Sequence, residues 1–227
     1  MSDKPKIMAV YGTRPEAIKI APVVSALQSD NRFKSVVVST GQHREMLEQV
    51  NKRFGITPDY DMALMKPGQA LNELVARAIQ GLDSIIGDEA PDVIISQGDT
   101  STAMAAALAG FHKGVKVVHL EAGLRTGNIL SPFPEEANRK IIGQIASLHL
   151  APTNESRENL RRENFRSKDI VVTGNTVIDA LLAASEWDIE FEDSRLEALR
   201  NSGDKLVLVT THRRENLDAM KEIGGAV

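Results

Sequence analysis

Short apolar runs alternate along this chain with longer amphipathic stretches, and the alternation predicts its architecture. Residues 7–11, 36–39, 93–96, 115–120, 148–151, 170–173 and 206–210 read as strands. Between them lie helical patterns. In one, Leu71, Leu74, Val75, Ala78, Ile79, Leu82, Ile85 and Ile86 keep the three- and four-residue spacing of a single buried helix face. The strand runs are continuously apolar instead of alternating with polar residues, so both faces of their sheet should be covered. That is the signature of a parallel, doubly wound α/β sheet. Residues 1–173 are expected to form one Rossmann-like domain. Residues 174–227 read differently: a helix over 177–187, the acidic stretch EFEDSRLEALRNSGDK, one strand over 205–211 and a closing helical segment, NLDAMKEIGGAV. One strand cannot make a sheet, so this part is expected to be the opening of an incomplete second domain.

Composition narrows the class. With 227 residues, 42% hydrophobic and 26% charged, the chain is globular and large enough for one or two domains. It has no cysteine, which removes disulfides, a thiolate nucleophile and cysteine zinc sites. The histidines, at 43, 112, 119, 149 and 212, show neither HxxxH nor HExxH spacing, so no metal site is expected. The N-terminal MSDKPK lacks the apolar core of a signal peptide and no run of 18 apolar residues occurs. A cytoplasmic protein is expected. A net charge of -4 supplies no electrostatic footprint for nucleic acid or an anionic membrane.

The chemistry gathers where the predicted strands end, in GTRPEAIK, QGDTST, HLEAGLRTG and VTTHRREN. Open α/β sheets bind their ligands just past the carboxyl ends of the strands, and these loops carry both cations and carboxylates. In the first, Gly12 permits a tight turn, and Arg14 and Lys19 place positive charge near a helix N-terminus, a setting suited to phosphate. A single glycine does not make a dinucleotide fingerprint, so NAD is not expected. Asp99 either caps the following helix or faces the cleft. Glu121, at the end of an apolar run, is either a cleft carboxylate or the buried partner of Arg125. In SPFPEEANRK, Pro134 suits a first helical turn and the helix dipole favours Glu135 and Glu136. Glu135 and Arg139, four residues apart, could instead aim an acid and a cation into the cleft. His212, with Arg213 and Arg214, follows the last predicted strand.

Taken in order, GTRPEAIK with the AP that follows, QHREML, GDTST, EAGLRTG, PEEANR, TGNTVIDALL and HRREN closely resemble the motifs of the non-hydrolysing UDP-N-acetylglucosamine 2-epimerases. The resemblance runs from about Lys6 to the end of the chain. It implies a glycosyltransferase-B-type fold of two Rossmann-like domains with the active site between them, and interconversion of UDP-N-acetylglucosamine and UDP-N-acetylmannosamine for surface polysaccharide synthesis. The implied route eliminates UDP across C1 and C2 and re-adds it after protonation from the other face. By match to the motifs, the catalytic set would be Lys19, Asp99, Glu121, Glu135, Arg139 and His212. Arg14, Lys19, Asp99, Glu121 and His212 would bind substrate. No cofactor or metal is implied, and a homodimer is expected. Gln42, His43 and Arg44 fit the turn that binds an activating second nucleotide sugar in some members. Regulated members continue with a segment resembling MxERQ, where this chain has Met65-Lys66-Pro67-Gly68-Gln69. Family members are longer, so this chain by itself is expected to be inactive. A hydrolysing epimerase or glycosyltransferase of the same architecture, or an inactive nucleotide-sugar-binding fragment, are the alternatives.

Overall fold

In the computed structural model every ladder of the sheet is parallel, as the continuously apolar runs predict, although at the edge Val171 and Val172 are exposed. The structure describes residues 4–41, 44–66, 68–189, 191, 193–205 and 207. Its elements run β1 (Lys6–Tyr11), α1 (Arg14–Ser29), β2 (Lys34–Ser39), α2 (Arg44–Phe54), β3 (Tyr60–Asp61), α3 (Leu71–Glu89), β4 (Val93–Gln97), α4 (Ser101–His112) and β5 (Lys116–Leu120). They continue with α5 (Glu135–Ile145), β6 (Leu148–Ala151), α6 (Asn154–Arg162), β7 (Ile170–Val172), α7 (Thr176–Ser185) and α8 (Ser194–Ser202). The sheet has seven strands in the order β3-β2-β1-β4-β5-β6-β7. The order reverses between β1 and β4, and loops that diverge there leave a crevice at the carboxyl ends of the strands.

Alternation within each strand sends side chains to two cores. Ala9 and Tyr11 of β1 pack with Ile20 and Val24 of α1 on one face. Met8 and Val10 pack with Leu82 and Ile86 of α3 and Ala106 and Ala109 of α4 on the other. The small side chains of α4 let it lie close to the sheet: a Cβ on Gly110 would stand 2.7 Å from Ile94 Cδ1. Leu74, Ala78, Leu82 and Ile86 form the buried face of α3. Leu71, expected on that face, is exposed at the start of the helix.

One short feature escapes the apolar-run signal. β3 has two residues, too few for any period to register, and is seen only through its pairing with Val38 and Ser39. The helix expected over 177–187 starts at Thr176 and ends at Ser185. The chain divides into two compact units, Met1–Ser185 and Glu186–Val227. In the second, Asp193 caps α8, Gly203 closes it in the left-handed conformation, and Arg200 donates to Asp188 and to the Ile189 carbonyl. The strand expected over 205–211 lies outside the described residues apart from Lys205 and Val207, neither of which is in an element. Among the described residues no helix is long and apolar enough to cross a membrane.

Candidate active site

The β1–α1 turn is built by a capping box. Thr13 caps α1, accepting from the Glu16 amide, and Glu16 reaches back to the Thr13 amide at 2.7 Å and the Gly12 amide at 2.9 Å. The Thr100 hydroxyl donates to the other Glu16 oxygen, joining this turn to the β4–α4 loop. Glu16 is buried, and burial pushes its carboxyl above the ordinary range against the hydrogen bonds it accepts from Thr100, Gly12 and Thr13. Gly12 is required by close approach: a Cβ there would lie 2.2 Å from Thr40 Oγ1 and 2.6 Å from Thr102 Oγ1. Arg14 is exposed as the first residue of α1, and Lys19 follows further along the same helix.

Lys19 leads to Glu121. Its Nζ lies 2.8 Å from Oε1 and 2.6 Å from Oε2 of that carboxylate, which directly follows β5. Gln97 Nε2, from the end of β4, donates to Oε2 at 2.9 Å, and Asn175 Nδ2, between β7 and α7, donates to Oε1 at 3.0 Å. The Glu121 side chain is 9% exposed, and its φ of 67° places a non-glycine residue in the left-handed region. Arg125, the buried partner considered for Glu121, pairs instead with Glu163 at 2.7 Å. Its guanidinium is drawn toward α6 by that carboxylate and leaves Glu121 to Lys19.

Asp99 is held by a second cation. Its Oδ2 accepts Arg139 Nε at 2.9 Å and Nη2 at 2.7 Å, a charge-assisted fork. Thr100, not Asp99, caps α4. Arg139 Nη1 also donates to Glu136 at 3.0 Å. The buried Glu136 accepts in addition from the Thr126 and Gly127 amides, so it is a support for the loop and for Arg139. Burial disfavours the Arg139 charge, yet Asp99 and Glu136 more than offset this and its pKa is raised. The expected sharing of a helix face by Glu135 and Arg139 gives no ion pair between them, because Glu136 and Asp99 take the guanidinium. Glu135 begins α5, after Pro134 at its N-cap, and its Oε2 is buried with no hydrogen-bond partner.

Beneath these loops His119 Nε2 lies 2.7 Å from the Gly98 carbonyl oxygen. A carbonyl only accepts, so Nε2 carries the proton and Nδ1 is bare. Burial pulls the pKa of His119 down to about 4. At neutral pH it is an uncharged strut for the loop bearing Asp99. Among the described residues no group of three or more His, Cys, Asp or Glu gathers as metal ligands would. Gln42, His43 and His212 lie outside the described residues, as does the side chain of Arg44 at the start of α2. Glu16, Gln97 and Asn175 were not singled out from the sequence. The Thr13-x-x-Glu16 spacing was a legible capping signal for the first. The other two carry no local signal.

The arrangement can move protons on carboxylates while cations receive negative charge, at the crevice where the strand order reverses. Residues 25–227 match the family model described as UDP-N-acetylglucosamine 2-epimerase. The chain is 49% identical over 216 residues to UDP-N-acetylglucosamine 2-epimerase of Salmonella typhimurium, covering 93% of this chain and 57% of that protein. It thus spans a little over half the length of such relatives. A crystal structure of a putative UDP-N-acetylglucosamine 2-epimerase from Listeria monocytogenes superposes with a TM-score of 0.89 at 45% identity, covering 99% of this chain and 61% of that one. The Neisseria meningitidis UDP-GlcNAc 2-epimerase, bound to UDP-GlcNAc, has a TM-score of 0.77 at 49% identity over 80% of this chain and 50% of that one. With a family model matched over most of its residues and relatives at about half identity over most of its length, the chain belongs to the UDP-N-acetylglucosamine 2-epimerase family.

Proposed function

We propose that the whole protein interconverts UDP-N-acetylglucosamine and UDP-N-acetylmannosamine. The C2 hydrogen of the sugar has no adjacent carbonyl and is weakly acidic. The reading therefore takes the two-step route: a carboxylate removes the C2 proton, the electron pair forms the C1–C2 double bond, and the C1–O bond breaks with its electrons leaving on UDP. Re-addition of the phosphate oxygen to C1, with a proton delivered to C2 from the opposite face, gives the epimer. The sequence is redox-neutral. Its proton carriers are drawn from Asp99, Glu121 and Glu135, and Lys19, Arg14 and Arg139 meet the charge that grows on the diphosphate. His212 is assigned to substrate binding from its motif.

The observation that carries this reading is the Glu121 carboxylate, held in a left-handed backbone within 2.8 Å of Lys19 at the sheet's carboxyl edge. It puts a candidate base and a candidate diphosphate cation side by side. The relative bound to UDP-GlcNAc supports the substrate class. A homodimeric, cytoplasmic enzyme whose product enters surface polysaccharide precursors completes the proposal. Turnover in deuterated water tests it: product and recovered substrate should both carry deuterium at C2. Full retention of the original hydrogen would sink the mechanism, and release of free sugar would favour hydrolysis.

A further inference from the structure

Glu121 meets two neutral amides besides Lys19, and one of them is oriented by a helix. Asn175 Oδ1 accepts the Val177 amide at 3.0 Å, satisfying one of the free N–H groups in the first turn of α7. With the oxygen so committed, only the NH₂ end of Asn175 is left for Glu121, 3.0 Å away. Gln97, the last residue of β4, is buried, and its Nε2 donates to the other carboxylate oxygen at 2.9 Å. Lys19 bridges both oxygens, so each oxygen accepts one amide and the ammonium. The amides are anchored, one by the cap and one by burial. Lys19 reaches the carboxylate on a flexible four-carbon stem and is 27% exposed.

We infer that Asn175 and Gln97 are positioning residues for proton transfer, fixing the plane of the Glu121 carboxylate while Lys19 is released to the diphosphate. The lone-pair directions held by Lys19 are then the ones turned toward the sugar. The inference rests on the reading that Glu121 carries a proton in the reaction.

Substitution of Asn175 in the whole protein separates capping from positioning. Asn175→Asp keeps an N-cap acceptor for α7 but sets a second carboxylate against Glu121. Asn175→Ala loses both contacts. If Asn175 positions Glu121, Tm should be near wild type for Asn175→Asp and lower for Asn175→Ala. The kcat should fall on the order of 10-fold for Ala and 100-fold for Asp, with KM for the UDP-sugar changing less. Gln97→Met, of similar length but lacking the donor, should lower kcat in the same way. A wild-type kcat for Asn175→Asp, or a kcat that follows Tm across the three Asn175 proteins, overturns the proposal. Glu121→Gln identifies which idea has failed. If that variant is inactive while Asn175→Asp is normal, only positioning is lost; if Glu121→Gln is itself fully active, the proton-carrying role fails as well.

Discussion

The two edges of the sheet use the same ion pair in different ways. At the amino edge Lys6 Nζ lies 2.8 Å from Glu89 Oε2, and Tyr60 donates to the other oxygen at 2.6 Å, tying β1, β3 and the end of α3 together. Both members of that pair are about a quarter exposed, and Glu89 itself is helical, in the last turn of a helix that its neighbour Ala90 closes with a φ of 45°. At the carboxyl edge Lys19 and Glu121 meet at a similar distance, but Glu121 is nearly enclosed and its backbone is left-handed. That conformation costs about 1–2 kcal/mol for a residue with a Cβ. An exposed pair that only staples elements is worth at most about 1 kcal/mol, so strain of this size would cancel it. The strain at Glu121 thus sits where the side chain's direction matters more than stability.

Charge removal should break the symmetry most sharply. In the whole protein Lys19→Ala should lower kcat on the order of 100-fold, the typical loss for one preorganised cation or donor. Lys6→Ala should leave kcat unchanged and lower Tm slightly. Equal loss of activity from both variants in a steady-state assay would erase the distinction between the edges.

A glycine pair extends the contrast to the backbone. Gly123, beyond β5, has a φ of 88°, and a Cβ there would stand 2.2 Å from the Ser156 carbonyl oxygen. Gly114, which enters β5 at the amino edge, has a φ of 71° but open space around it. Gly114→Ala should cost about 1 kcal/mol from conformation alone. Gly123→Ala adds a backbone collision and should cost roughly 1–3 kcal/mol more. Denaturant unfolding of the two variants measures the difference, and equal midpoints would mean the carboxyl edge yields as readily as the amino edge.

The smallest effect vanishes at neutral pH and grows in acid. Burial lowers the His119 pKa from 6.5 to about 4, so between those values the unfolded chain binds a proton that the folded chain does not. Stability from this group is complete above pH 6.5 and is lost as pH falls toward 4. His149, also lowered by burial, acts in the same sense. Glu163, held at about 2 first by its hydrogen bond to Arg125, adds an acid loss below 4.5. His119→Gln should therefore reduce the fall in Tm between pH 7 and pH 5 while leaving the steeper loss below pH 4.5. An unchanged slope would show that His119 does not fold as a buried neutral ring.

Local periodicity was enough to place most of this unit. Apolar runs marked β1, β2, β4, β5 and β6 because those strands lie inside the sheet, and marked the edge strand β7 although its Val171 and Val172 are exposed; three-and-four spacing marked α3. The loops after the strands were legible as the chemical edge for the same reason: polar residues interrupt a strand only where it leaves the core. Motif order pointed to Lys19, Asp99, Glu121, Glu135 and Arg139 as candidates for one site. Their partners were another matter. Arg125, four residues from Glu121, binds Glu163, and Lys19, 102 residues away, takes Glu121. Gln97 and Asn175 arrive beside the same carboxylate from two further strand ends. The sequence by itself determined which segments become strands and helices and which loops carry charge, because those depend on neighbours three or four residues apart. Only the tertiary structure decided which charge meets which, because parallel crossovers bring distant strand ends together and a hydrogen bond is settled within a few tenths of an ångström.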